Sequence, residues 1–178
     1  MSDLAVVIID MLNPYEHDDA EALAKNVESI IDPMRGLIGS AHDEDVELVY
    51  VNDNYGDFTA TRHDLLRAAC DGRHPELVDP IAPPEEAQFL AKARHSAFYS
   101  TALAYLLRER GVETVVLAGQ VTEQCILYTA LDAYVRHFAI RVPPDAVAPI
   151  DTDLGNAALQ MMERNMRVEL IEAERCVS

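Results

Sequence analysis

Short apolar runs alternate along the chain with stretches that keep helical spacing. Residues 4–9 (LAVVII), 47–51 (ELVYV) and 114–118 (TVVLA) are nearly continuous in apolar character and rich in β-branched residues. Residues 138–142 (FAIRV) and 167–171 (RVELI) repeat the pattern more weakly, and 88–91 (QFLA) is a further short candidate. Runs of this length without polar alternation are expected of strands covered on both faces of a sheet. Between them, Ala20, Leu23, Val27, Ile30, Ile31, Met34, Leu37 and Ile38 predict one helix of five turns, with Asp18 or Asp19 as its N-cap. Leu103, Leu106 and Leu107 predict a second helix, ended by Gly111 after Arg108 and Arg110. Residues 126–134 and 154–162 predict two more. The prolines between residues 71 and 88 mark a surface connection. Strands alternating with helices predict an α/β fold, a doubly wound and mostly parallel sheet with helices on both faces.

Composition narrows the setting. A chain of 178 residues with 49% apolar content is expected to form one domain over residues 1–178 with a substantial core. Acidic residues outnumber basic ones 31 to 14, a formal charge of −17. That balance opposes binding to the phosphate backbone of nucleic acids and to anionic membrane surfaces. The first apolar run is too short for a signal segment, and no run approaches the roughly 20 residues of a membrane span. Cys70, Cys125 and Cys176 are odd in number and show no CxxC spacing, so reduced thiols in a cytoplasmic setting are expected.

Ligands of open α/β sheets bind beyond the carboxyl ends of the strands. Asp10, Asn52 with Asp53, and Lys92 each stand at or just after an apolar run, and residues 119–125 lead from another run to Cys125. With Thr122 as the N-cap of the next helix, Cys125 falls in its first turn, where the helix dipole favours a thiolate. Taken singly, Cys125 reads equally as a structural cysteine, Asp10 as a loop cap and Lys92 as a surface charge. Together they form a set in which lysine favours the thiolate and the carboxylate carries the proton. The six histidines are scattered and show no metal-binding spacing, and each reads as a surface residue. A dinucleotide fingerprint and a GxSxG elbow are both missing.

These residues resemble the isochorismatase-like cysteine hydrolases in its amidohydrolase branch, over essentially the whole chain. Val6-Val7-Ile8-Ile9-Asp10-Met11-Leu12-Asn13 is similar to the family's strand ending in Asp-Met-Gln-Asn. Lys92, Ser96-Ala97-Phe98 and Thr101-Ala102-Leu103 are similar to its lysine segment, and residues 117–125 (LAGQVTEQC) to its cysteine segment. The resemblance implies a six-stranded sheet and a triad of Asp10, Lys92 and Cys125. It also implies a non-proline cis peptide between Gln120 and Val121, with the N–H groups of Val121 and Cys125 forming an oxyanion hole. Tyr15, Tyr55, Phe98 and Gln120 are the candidates for the substrate pocket. Tyr55 replaces the first histidine of the metal site found in nicotinamidases, so neither a catalytic metal nor another cofactor is expected. The implied function is hydrolysis of a C–N bond in a small amide or carbamoyl compound through a thioester on Cys125, by a homo-oligomer (dimer or tetramer). The alternatives are isochorismatase-type hydrolysis of a non-amide substrate and a non-catalytic dimeric binding module of the same fold.

Overall fold

The computed structural model describes residues 2–177. Among the described residues, seven strands form one sheet: β1 (Leu4–Ile9), β2 (Glu47–Asp53), β3 (Gln88–Lys92), β4 (Thr114–Gln120), β5 (Ala139–Val142), β6 (Val147–Ala148) and β7 (Glu169–Leu170). Six run in the order β3-β2-β1-β4-β5-β7, and the two-residue β6 pairs with the end of β4. Every pairing is parallel. The weak run at 88–91 is therefore a strand. The strand expected at 167–171 contracts to two residues, and β6 adds a seventh that no apolar run announced.

Helices cover both faces. All six residues of β1 are buried, and they alternate between two cores. Leu4, Val6 and Ile8 pack with Leu23 and Val27 of α1 (Ala20–Glu28) and Met34 and Leu37 of α2 (Ile31–Asp43). Ala5, Val7 and Ile9 pack with Leu103 and Leu107 of α4 (Leu103–Glu109), Ala130 and Ala133 of α5 (Leu127–Val135), and Met162 of α6 (Thr152–Met166). The side-chain period of two in a strand thus divides one apolar run between two helical layers.

Three expectations are corrected. The single helix over residues 20–38 is two helices, α1 and α2, that meet at Ser29 and Ile30. Pro33 lies in the first turn of α2; it has no amide hydrogen and its ring opposes continuation from the preceding turn. The segment 71–88 is more than a surface connection, because Leu77, Val78 and Ile81 are buried. It follows α3 (Arg62–Cys70), whose start is a capping box between Thr61 and Asp64. Lastly, Thr122 is not an N-cap. Residues Thr122–Ile126 form a π-helical turn in which the Ile126 amide donates to the Val121 carbonyl, 3.1 Å away, and the Thr122 hydroxyl is buried without a partner.

The centre of the sheet tolerates no side chain at Gly119. Its φ is +121°, and an added Cβ would lie 2.1 Å from the carbonyl oxygen of Ile9 on β1. Both objects are backbone, so neither can move without parting β1 from β4. Gly119→Ala is expected to destabilise the fold by about 3 kcal/mol, lowering Tm by about 10 °C. A variant that melts with the parent protein would refute this close approach.

Candidate active site

The strand order reverses at β1, which lies between β2 and β4. The crevice at such a switch point opens at the carboxyl ends of the strands. Asp10 directly follows β1, Lys92 ends β3 beside Asp53 of β2, and Cys125 stands in the π-helical turn after β4. Residues far apart in the chain therefore meet at one end of the sheet.

They meet closely. Lys92 Nζ lies 2.8 Å from Asp10 Oδ2, 3.5 Å from Asp53 Oδ2 and 3.5 Å from Cys125 Sγ. The lysine side chain is wholly buried. Asp10 is held from several sides. Its amide donates to the Val51 carbonyl, its Oδ1 accepts from the Asp53 amide at 2.7 Å, and its carbonyl accepts from Gln120 Nε2 at 2.7 Å. The φ of +56° at Asp10 turns the chain sharply out of β1 at this point.

Burial and charge set the protonation tendencies. Burial pushes the Asp10 carboxyl above its ordinary value, against the pull of the Lys92 ammonium. Burial alone would lower Lys92, but Asp10, Cys125 and Asp53 together raise it, so the ammonium persists. Burial, reinforced by the Asp10 charge, pushes the Cys125 thiol well above its usual range, and Lys92 only partly opposes this. The expected helix-dipole thiolate is thus corrected: the resting group is a thiol beside a carboxylate of raised basicity. An acceptor of that kind suits removal of the thiol proton during reaction.

The other named residues divide. Tyr15 is fully buried, and its hydroxyl donates to Gln120 Oε1 over 3.4 Å. Tyr55 is half-exposed, with its hydroxyl donating to the Leu12 carbonyl and its amide to Asp53 Oδ1. Both therefore stand beside the Asp10 loop. Phe98 is a core residue, stacked on Phe138 at 5.9 Å with the Arg136 guanidinium over its ring. The peptide bond between Gln120 and Val121 is cis. Cys70 and Cys176 lie apart from this group; Cys70 Sγ contacts Asp79, and burial pushes Cys176 up to about 12.

Two further residues shape the site: Asn52, whose strand-end place the sequence shows but not its role, and His95. Asn52 fixes Leu12 by accepting from its amide at 2.8 Å and donating to its carbonyl at 3.1 Å, which sets the path of the loop after Asp10. His95 Nδ1 lies 3.7 Å from Cys125 Sγ, so one histidine read as a surface bystander touches the thiol. Among the described residues, no three His, Cys, Asp or Glu side chains gather in a way that could hold a metal ion. A cavity of about 660 Å³ lies elsewhere: His42, Glu47, Gln88 and Arg110 line it near the amino ends of β2 and β3.

A family model, the isochorismatase domain, matches residues 4–175. The chain belongs to the isochorismatase family. An uncharacterized isochorismatase family protein of Bacillus subtilis, YaaI, is 35% identical over 176 residues, covering 99% of this chain and 97% of that protein. The maleamate amidohydrolase of Pseudomonas putida is 29% identical over 163 residues, covering 87% and 76% respectively. Among solved structures, N-carbamoylsarcosine amidase from Thermoplasma acidophilum superposes with a TM-score of 0.76 at 30% identity, covering 97% of each chain. This isochorismatase-family hydrolase therefore has amidohydrolases among its relatives. No helix among its described residues is long and apolar enough to cross a membrane.

Proposed function

We propose that this isochorismatase-family protein is a cysteine hydrolase that cleaves a C–N bond of a small amide or carbamoyl compound. The observation that carries the reading is the contact chain from Asp10 Oδ2 to Lys92 Nζ at 2.8 Å and from Nζ to Cys125 Sγ at 3.5 Å. In this mechanism Asp10 takes the thiol proton as Cys125 attacks the carbonyl carbon. Lys92 offsets the negative charge on sulfur. The N–H groups of Val121 and Cys125 stabilise the oxyanion. When the C–N bond breaks, Asp10 returns its proton to the departing nitrogen, leaving an acyl or carbamoyl thioester. Water then gives a proton to Asp10 and its oxygen to the carbonyl carbon. The C–S bond breaks, the acid departs, and the thiol regains its proton. Tyr15, Tyr55 and Gln120, which border the Asp10 loop, form part of the pocket in this reading.

The same proposal places a homo-oligomer in the cytoplasm. Its three cysteines are unpaired, and Leu131, Tyr134 and Val135 leave exposed apolar surface on α5 of the kind that another protein surface covers. The test of the chemistry is ammonia release across small amides, ureas and N-carbamoyl compounds, with intact mass recorded during turnover. The expected result is release from at least one class, accompanied by a covalent adduct that peptide mapping assigns to Cys125. Turnover without any adduct on rapid quenching, together with hydrolysis of a vinyl ether such as isochorismate, would favour the non-amide alternative.

A further inference from the structure

The thiol has one neighbour that this mechanism leaves idle. Asp10 and Lys92 approach Cys125 from the buried side, whereas His95 is exposed and approaches to 3.7 Å through Nδ1. Its place is built by one ring contact and by the anchoring of the loop that carries it. The imidazole stacks on Tyr128 of α5, with centroids 5.4 Å apart and planes inclined by 25°. The loop that carries it is tied to the same helix: Ser96 Oγ donates to Asp132, and the Ala97 amide donates to Thr129 Oγ1 at 2.9 Å. Two bonds from the residues that follow His95, and one ring stack, thus hold this side chain against the helix that Cys125 leads into.

The charge around sulfur gives this position a use. Once Asp10 has taken the thiol proton, Asp53 and the thiolate carry two negative charges against one positive charge on Lys92. A second cation at the sulfur balances the set. The other charged groups near His95 do not supply it: Arg94 donates to its neighbour's carbonyl, and Arg136 is paired with Asp132. We propose that His95 is a further catalytic residue whose imidazolium, through Nδ1–H, stabilises the Cys125 thiolate from the solvent side. The imidazole takes its proton from water and moves none to the substrate, so Asp10 remains the acceptor of the thiol proton. Tyr128 is a positioning residue that fixes the ring plane.

This inference rests on Cys125 being the nucleophile, but its test needs no substrate. Alkylation of Cys125 by iodoacetamide, followed by peptide mass across pH 5 to 10, reads thiolate directly. The parent protein is expected to form thiolate at lower pH than a variant that lacks the imidazole. His95→Phe keeps a ring to stack on Tyr128 and removes the nitrogen. Its thiolate is expected to form at higher pH, with alkylation at pH 7 slower by about tenfold to a hundredfold. His95→Gln should do the same, and both should melt with the parent because the side chain is exposed. Superimposable profiles would overturn the inference. So would a uniform slowing at every pH with the shape unchanged, which is what loosened packing alone produces. Retained turnover in a protein lacking the Cys125 thiol would instead remove the proposed nucleophile, and the alkylation profile would still report on His95.

Discussion

Cys125→Ala is expected to lower ammonia release by about 10⁴-fold or more in kcat while leaving the fold intact. The size of the loss follows from the chemistry. Asp10 can polarise a water, but it is fixed by the Asp53 amide and by Lys92, and an attack by water no longer passes through a thioester. The intactness follows from packing. Cys125 is 8% exposed and has no disulfide, so the change to alanine removes one sulfur atom from the edge of the core. A loss of about 1 kcal/mol in stability is the expected scale for so small a truncation. Cys125→Ser separates shape from reactivity. A serine hydroxyl fills nearly the same space but is a far weaker nucleophile under these conditions, so it should melt with the parent and still be nearly inactive. Either variant turning over near the parent rate, with the identity of residue 125 confirmed by mass, would sink the thioester mechanism.

How much of this site was legible beforehand depended on how local its causes are. Asp10 and Lys92 sit at the ends of apolar runs, and a strand end is a place that hydrophobic pattern alone locates. Cys125 was legible for a less sound reason. Its helix was found, but Thr122 is not the cap; the turn is π-helical, and burial raises the thiol where the dipole was expected to lower it. His95 carried no local signal. Its contact with sulfur depends on bonds from Ser96 and Ala97 to Asp132 and Thr129, more than thirty residues away along the chain. The fold shows the same division. The layered sheet follows from period and run length, whereas β6 is two residues in a loop and exists only because Gly119 and Gln120 extend β4 to meet it. In α3 only Leu65 and Ala69 are buried, so hydrophobic spacing was silent, although the capping box at Thr61 and Asp64 marked its start.

Lys92→Met is the second large effect, and it should damage activity and stability together. Methionine is one atom shorter than lysine and keeps most of the core filled, so the loss is mainly the charge. Without the ammonium, Asp10 remains 7% exposed with the Asp53 amide and the Cys125 thiol, but no cation, to satisfy its ionised form. Removing one partner of a buried ion pair costs about 3–5 kcal/mol when the other stays charged. Asp10 can escape part of that cost by taking a proton, because burial already drives its carboxyl above the ordinary 3.8 and Lys92 is the chief influence opposing this. A protonated Asp10 cannot accept the thiol proton, and the thiolate has lost its buried cation. Turnover should therefore fall by about 10³-fold or more, since both general-base and electrostatic assistance go with one substitution. The pH dependence has a definite sign. A carboxyl whose folded pKa lies above its unfolded value contributes stability below the unfolded value, and that stability is lost as pH rises through the folded one. Relative to the parent, Lys92→Met should thus be least handicapped near pH 4 and progressively more so toward neutrality. Adding Asp10→Asn removes the charge left behind, so the double variant should melt above Lys92→Met at pH 7 while remaining inactive. A stability deficit that stays flat with pH, or a double variant less stable than the single one, would show that the buried carboxylate is not what Lys92 holds in place.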